Sequence, residues 1–402
     1  MTNSKALIEH APAEPESIAG RRRDDRRLAL VLYVLTVLLY WSALYFYVPT
    51  LPMYVHSKIG DLVVVGAVLS MYGLWQALAR LPVGMAADRV GRRKPFILLG
   101  PTLALLGAWV MGHASGSAGL FVGRGITGLA AAAWVPMVAA FNALFPPKDV
   151  VRASALISLV SSLGCIIGTS LNGRLNEIGG YGLAFALAAG MGGAALVIGL
   201  VLPEPPLTGQ RPSARDLARV VMRRVVWLPS LLSGVSHYVL FTATYGFLPI
   251  LGQRLGLGDV AQGLLVSLNL VSQAAGNLGV AALGRRISSR RLAYGSFGLL
   301  ALGAALAAVA QGPGLILAAQ LCIGLGQGTS YPVLMGLSMR HVGQGERTAA
   351  VGAFQALYGI GMFAGPAVNG LVASAVGIQP MFGITALLCL ALGWLGTGKL
   401  RE

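Results

Sequence analysis

Apolar residues run along this chain in twelve stretches separated by short polar segments: approximately 28–48, 62–83, 95–112, 118–143, 153–173, 181–202, 227–250, 261–283, 292–311, 314–339, 348–375 and 378–397. A helix needs roughly 20 apolar residues to cross a hydrocarbon core of about 30 Å. Each stretch is near that length, so the pattern predicts an all-α membrane protein with twelve transmembrane helices. Polar positions are unevenly shared among them. Spans 3, 6, 9 and 12 are nearly pure Ala, Gly, Leu, Val and Phe, whereas spans 1, 2, 7, 8, 10 and 11 carry Tyr, Trp, Gln, Asn and His. Lipid-facing helices must be apolar, and helices that line a cavity need not be. Tyr45, Gln76, His237, Tyr245, Asn269, Gln273, Gln327, Tyr331 and Tyr358 are therefore candidates to touch a solute in a central cavity; each could equally bridge two helices.

The apolar spans also repeat. Gly66, Ser70 and Gln76 return as Gly263, Ser267 and Gln273, each 197 positions later. Gly164, Gly168, Asn172 and Gly173 return at the same offset as Gly361, Gly365, Asn369 and Gly370. Gly128 and Pro136 return as Gly324 and Pro332, and Tyr45 and Pro49 as Tyr245 and Pro249. One such pair is weak in a glycine-rich chain, but four helix pairs at nearly one offset predict two parallel six-helix bundles, 28–202 and 227–402. Residues 203–226 then form a linker. Residues 1–27, polar and containing Pro and Glu, predict a disordered tail. The arginines at 21–23, 26 and 27 precede an apolar run too long for a signal peptide and without a small-residue cleavage site, so the first span reads as an uncleaved helix.

Composition sharpens the membrane reading. Of 402 residues, 55% are hydrophobic and 11% charged, against about 25% charged in soluble domains. The net charge of +16 is explained by its location. Of the 30 Lys and Arg, 25 fall in the two termini and alternate loops, while only Lys58, Arg174 and Arg254 occupy the other loops. That bias predicts cytoplasmic N- and C-termini in a cell (inner) membrane. It also accounts for the charge without nucleic-acid binding. Cys165, Cys322 and Cys389 lie inside apolar runs and form neither a disulfide framework nor a metal site. There is no phosphate-binding loop, no H-E-x-x-H and no Cys/His cluster. No cofactor, no metal and no catalytic residues are expected, and the chain is expected not to be an enzyme.

The loop after span 2 reads Gly84-Met-Ala-Ala-Asp88-Arg89-Val-Gly91-Arg92-Arg93-Lys94. It resembles the G-x-x-x-D-R-x-G-R-R/K signature of the major facilitator superfamily, in the position where that family carries it. Glycine permits a tight turn, and a carboxylate can accept from a neighbouring helix N-terminus. Arg124-Gly-Ile-Thr-Gly128 resembles the family's R-x-x-x-G motif of helix 4. A guanidinium at bilayer depth costs about 2.5–3.5 kcal/mol on insertion scales, so Arg124 is expected to face a cavity; the alternative is snorkelling to the interface. Arg80, one turn before Gly84, is expected to snorkel. Gly361, Gly365 and Pro366 in span 11 resemble the glycine–proline signature of exporters. The family places that signature in helix 5, where this chain has Thr169 instead of the proline.

The resemblance implies two bundles rocking about a central site, with no cofactor and a small-molecule substrate. Within the family the length and the glycine–proline signature resemble twelve-helix drug and metabolite exporters, which implies proton-linked efflux by a monomer in the lipid bilayer. The alternative is uptake or facilitated diffusion of a polar or anionic solute, with Arg124 as its charge partner. A remote alternative is a non-transporting sensor or a membrane-embedded enzyme. Gly84, Asp88, Arg89, Gly91, Arg92, Arg93, Gly361, Gly365 and Pro366 are expected to control the conformational change, with Asp88 docking near Gly345–Thr348. All 14 acidic residues fall in tails or loops. Histidine titrates near working pH with little tuning, so His237 is the candidate proton site, with Asp61 or Asp259 as an outer entry residue. A bridging imidazole is the alternative.

Overall fold

The computed structural model describes residues 16–146, 149–204, 222–284, 286–340, 342 and 347–400, and all its regular elements are helices. In chain order they are α1 (Glu16–Tyr45), α2 (Leu51–Ile59), α3 (Leu62–Val90), α4 (Lys94–Gly112), α5 (Ser117–Ala132), α6 (Trp134–Asn142), α7 (Val150–Leu200), α8 (Arg224–Thr242), a π turn (Ala243–Phe247), α9 (Leu248–Arg254), α10 (Asp259–Leu283), α11 (Ser289–Ala308), α12 (Pro313–Met339), α13 (Arg347–Val376) and α14 (Ile378–Gly398).

Ten of these stretches are long and apolar enough to span a membrane by themselves. One of the ten holds two crossings: α7 bends at Gly179 and Gly180, and Gly180 takes a φ of 65° that only glycine adopts easily. Beyond the bend the chain runs back along α4, with Gly192 against Leu105 and Gly199 against Leu98. The remaining crossing is α12, whose buried Gln320, Gln327 and Ser330 lower its hydropathy. The twelve expected crossings are thus present. Two details differ from the sequence reading. The first helix begins at Glu16, so residues 16–27 extend it rather than forming an irregular tail. A short extra helix, α2, with Leu51–Val55 buried, fills the gap between spans 1 and 2. The linker segment 205–221 lies outside the described residues.

The sequence repeat is a packing repeat. Gly164 and Gly168 bring the first limb of α7 against the backbone of α1 at Leu38, Ser42 and Tyr45. Their counterparts Gly361 and Gly365 bring α13 against α8 at Gly234 and Tyr238. Asn172 donates to the Phe46 carbonyl (2.7 Å), and Asn369 to Thr242 Oγ1 (2.9 Å). Between the halves, Gly263 on α10 abuts the Thr169 carbonyl of α7, and Gly66 on α3 abuts the Pro366 carbonyl of α13. Thr169 therefore occupies the same structural place as Pro366, one repeat earlier.

The two inter-half seams are unequal, and this positions the site. The face carrying Gly91–Arg93 is here termed the basic face, and the opposite one, carrying α2, the far face. At the far face both seams are shut. Ser267 Oγ lies 2.7 Å from Thr169 Oγ1 and 2.9 Å from Ser170 Oγ, and Asn176 donates to Asp259 Oδ2 at 2.7 Å. Toward the basic face the α3–α13 seam stays closed, with Gly359 on Ala77 and Gly352 on Leu81. The equivalent positions on the other seam, Ser162, Ala274, Ala155 and Leu278, are exposed, Leu278 by 71%. The halves form a wedge that opens between α7 and α10.

Candidate functional site

The wedge holds a cavity of about 1090 Å³, open mouth included. Among the described residues, eight crossings line it, and none of the lining comes from α4, the second limb of α7, α11 or α14. Those are spans 3, 6, 9 and 12, the nearly apolar set. Small residues let the helices approach closely enough to enclose the space.

Toward the far face the cavity ends in aromatic rings. Tyr45 meets Tyr245 edge-on at 6.2 Å between centroids, one ring from each half. Trp41 packs on Tyr45 (6.0 Å) and Trp134 (5.4 Å). Tyr245 sits in the π turn. Pro249, four residues on, has no N–H to give the Tyr245 carbonyl, which supplies a reason for the helix to widen there.

The middle of the cavity is polar. His237 stacks flat on Tyr358 (4.2 Å, 8° between planes). Its Nδ1 lies 2.8 Å from the Ser233 carbonyl, and its Nε2 is 3.2 Å from Gln327 Nε2. The short contact to a carbonyl acceptor favours a proton on Nδ1, leaving Nε2 to accept from Gln327. Tyr331 packs edge-on against both His237 and Tyr358. From the other half, Arg80 Nη1 donates to the Tyr358 hydroxyl. Gln76 lies within 3.4 Å of the Tyr72 hydroxyl. Gln273 reaches Asn269 (2.8 Å), which donates to the Gln320 carbonyl.

Of the residues singled out from sequence, Tyr45, Gln76, His237, Tyr245, Gln273, Gln327, Tyr331 and Tyr358 share this cavity. Asn269 is buried one layer behind, orienting Gln273. Arg124 is also behind the wall: it is 3% exposed, with its guanidinium carbon 4.4 Å above the Tyr72 ring, and Tyr72 fronts the cavity. Arg80 corrects the expectation of snorkelling. It is 5% exposed and turns into the cavity. Tyr72, Gln76 and Arg80 are spaced by four, so one helix face carries all three; that spacing was the signal that could have placed Arg80. Trp134, Ser158, Ser161, Ser162 and Asn277 also line the cavity without having been singled out as solute contacts.

The signature loop is a turn built as its residues require. Gly91 ends α3 with a φ of 74°. Arg92 pairs with Glu204 (3.4 Å), Lys94 Nζ donates to the Leu200 carbonyl (2.7 Å), and Arg93 donates to the Ala139 carbonyl (3.3 Å). These contacts tie α3 and α4 to α6 and the end of α7. Gly84 packs beside Val135, and Arg89 is exposed. The Asp88 side chain, and within its expected docking region Gly345–Thr348 residues 345 and 346 and the side chains of 347 and 348, lie outside the described residues. At the far face, Asp61 caps α3 through Val63 N (2.8 Å), and Asp259 accepts from Asn176.

Comparison with known proteins agrees with this architecture. The family model of the Major Facilitator Superfamily matches residues 33–262 and 230–401. An uncharacterised MFS-type transporter of Methanocaldococcus jannaschii is 21% identical over 358 residues, 87% of this chain and 92% of its own. The multidrug resistance protein Stp of Mycobacterium tuberculosis is 35% identical over 137 residues, which is 34% of this chain and a quarter (25%) of that protein. Among solved structures, the nucleoside transporter NupG superposes with a TM-score of 0.73 at 17% identity, covering 94% of this chain and all (100%) of NupG. With both six-helix halves matched, the chain belongs to the Major Facilitator Superfamily and is a membrane transporter of small molecules, not an enzyme.

Proposed function

We propose that this transporter exports a small, partly apolar molecule by alternating access, coupled to proton entry. The observation that carries the reading is the wedge. An aromatic-walled cavity opens on the basic face, and the charge bias supports a cytoplasmic position for that face in an inner-membrane protein with both termini inside. A cavity open to the cytoplasm is the form that accepts a molecule for export. Flat apolar walls of Trp and Tyr suit a drug-like body, and the stretch similar to a multidrug resistance protein points the same way.

In this reading the α7–α10 seam closes at the basic face while the far face opens, and Tyr45 and Tyr245 part. Gly84, Asp88, Arg89, Gly91, Arg92 and Arg93 hold the turn that moves with α3. Gly361, Gly365 and Pro366 let α13 slide on α8 without side chains to unlock. His237 is the proton site: among the described residues it is the one imidazole in the cavity wall, and an imidazole takes up a proton at a ring nitrogen. The molecule works as a monomer.

One observation favours a second reading. No carboxylate lines the cavity among the described residues, so passage without a coupling ion, in either direction, uses the same architecture. A thermal-shift screen of purified protein against drugs, sugars, amino acids and metallophores identifies the substrate class. Cells expressing the protein are then expected to retain less of a labelled hit than cells lacking it. Greater retention would overturn export.

A further inference from the structure

We infer that the substrate carries an anionic group, held by Arg80, on a flat apolar body. This rests on the reading of the cavity as the transport site and names its substrate class.

The starting point is a charge without a partner. Arginine stays protonated in proteins. Arg80 is 5% exposed, and its Nε has no hydrogen-bond partner. Nη1 donates to the neutral hydroxyl of Tyr358, with the guanidinium carbon 5.7 Å from that ring. Neither contact neutralises the cation. Buried charges are normally paired. Here the lining supplies amides, hydroxyls, a thiol and His237, but among the described residues no Asp or Glu. The sequence has no acid within any of the twelve spans. A mobile anion entering from the open face is the counter-charge that this site accepts.

The geometry also says which anion. A guanidinium is a planar fork suited to carboxylate or phosphate. The fork spends only Nη1 on Tyr358 and leaves Nη2 without a hydrogen bond among the described residues, and Gln76, one turn away on the same face, offers an amide to a second oxygen. Beyond them the space is walled by Trp41, Trp134, Tyr72 and Phe241, which suits an aromatic or polycyclic body rather than a sugar. A cationic drug would meet Arg80 with no compensating carboxylate. The charge partner is Arg80 rather than Arg124, because the Tyr72 ring stands between Arg124 and the cavity.

The test is equilibrium binding to the purified full-length protein at constant salt and pH 8. The probes are three carboxylates of rising size, benzoate, 2-naphthoate and anthracene-2-carboxylate, each beside its neutral primary amide. At one body size or more, the wild type is expected to bind the carboxylate at least tenfold more tightly than the amide. Arg80→Gln is expected to bind the amide as before and to lose the preference to within threefold. Arg80→Lys, which keeps a cation without the fork, is expected to retain a reduced preference, and it carries the test should Arg80→Gln fail to fold. No carboxylate preference at any body size in wild type, or a preference indifferent to residue 80, overturns the inference. Flux of the same probes into proteoliposomes separates the two levels. Transport of amides without anion preference would leave the transport reading standing and end this one. Residue-80-dependent binding without any flux would do the reverse.

Discussion

Replacing Gly263 by valine perturbs one seam of the wedge at one end. A Cβ at Gly263 would lie 2.6 Å from the Thr169 carbonyl oxygen, well inside the 3.3–3.6 Å of a close carbon–oxygen contact. The obstacle is backbone, so it cannot swing aside. The same contact region holds the Ser267 hydroxyl within bonding distance of Thr169 and Ser170. Overpacking of this kind costs about 1–3 kcal/mol. The cost falls on the state in which the far face is shut and is relieved when α7 and α10 part there. It converts to a shift of about 5- to 150-fold toward the far-face-open state. Spin labels at Lys58 and Arg254, exposed on the far face in opposite halves, report the change. Their distance distribution is expected to lengthen in Gly263→Val. Gly279→Val, on the same helix but with nothing within 4 Å of an added Cβ, is expected to leave it unchanged. Identical distributions in all three proteins would show that the Gly263–Thr169 contact does not hold the far face shut.

Other expectations follow from the same contacts. A Cβ at Gly361 would overlap the Gly234 carbonyl, so Gly361→Val should lower the melting temperature or abolish recovery of folded protein, whereas Gly295→Val, facing open space, should do neither. Arg124 holds the Tyr72 ring by a cation–π contact worth up to about 2 kcal/mol when desolvated. Arg124→Lys and Arg124→Ala are both expected to slow transport, and normal flux in both would make the residue dispensable. Asp88→Asn is expected to cut transport while leaving membrane expression intact, and wild-type flux would leave the loop a purely topological device.

The sequence exposed the fold because both of its determinants are linear. Length and apolarity mark a crossing, and the 197-residue offset marks a repeat. That offset carried through to atoms: Gly128 packs on the backbone of Tyr72, and its counterpart Gly324 packs on the backbone of Asn269, the position one repeat after Tyr72. The spared spans 3, 6, 9 and 12 likewise stay out of the cavity wall, since lipid tolerates no unsatisfied polar groups, but spans 4 and 5, outside the polar set, line it as well. The site was harder to read. Depth along a span does not say where a long side chain points. Arg124 and Arg80 were therefore assigned to cavity and interface, respectively, whereas Arg80 turns inward and Arg124 is screened by Tyr72. The π turn at Ala243–Phe247 left no periodic trace, although Pro249 marked its end. The unequal seams were also illegible, because a repeated sequence specifies equivalent contacts and only one conformation breaks the symmetry.

Coupled export from the basic face is tested most directly by flux into inside-out membrane vesicles. The probe is the labelled compound that most raises the melting temperature, and the vesicle interior is acidified. The vesicle lumen is then the former cell exterior, and protons leave as the compound enters. Accumulation above the external concentration is expected in wild type, abolished by a protonophore, and reduced to equilibration in His237→Gln. Gradient-driven accumulation that survives His237→Gln would remove that histidine as the proton site. Equilibration alone in the wild type, at the same rate with and without the gradient, would make the protein a facilitator and contradict the export assignment.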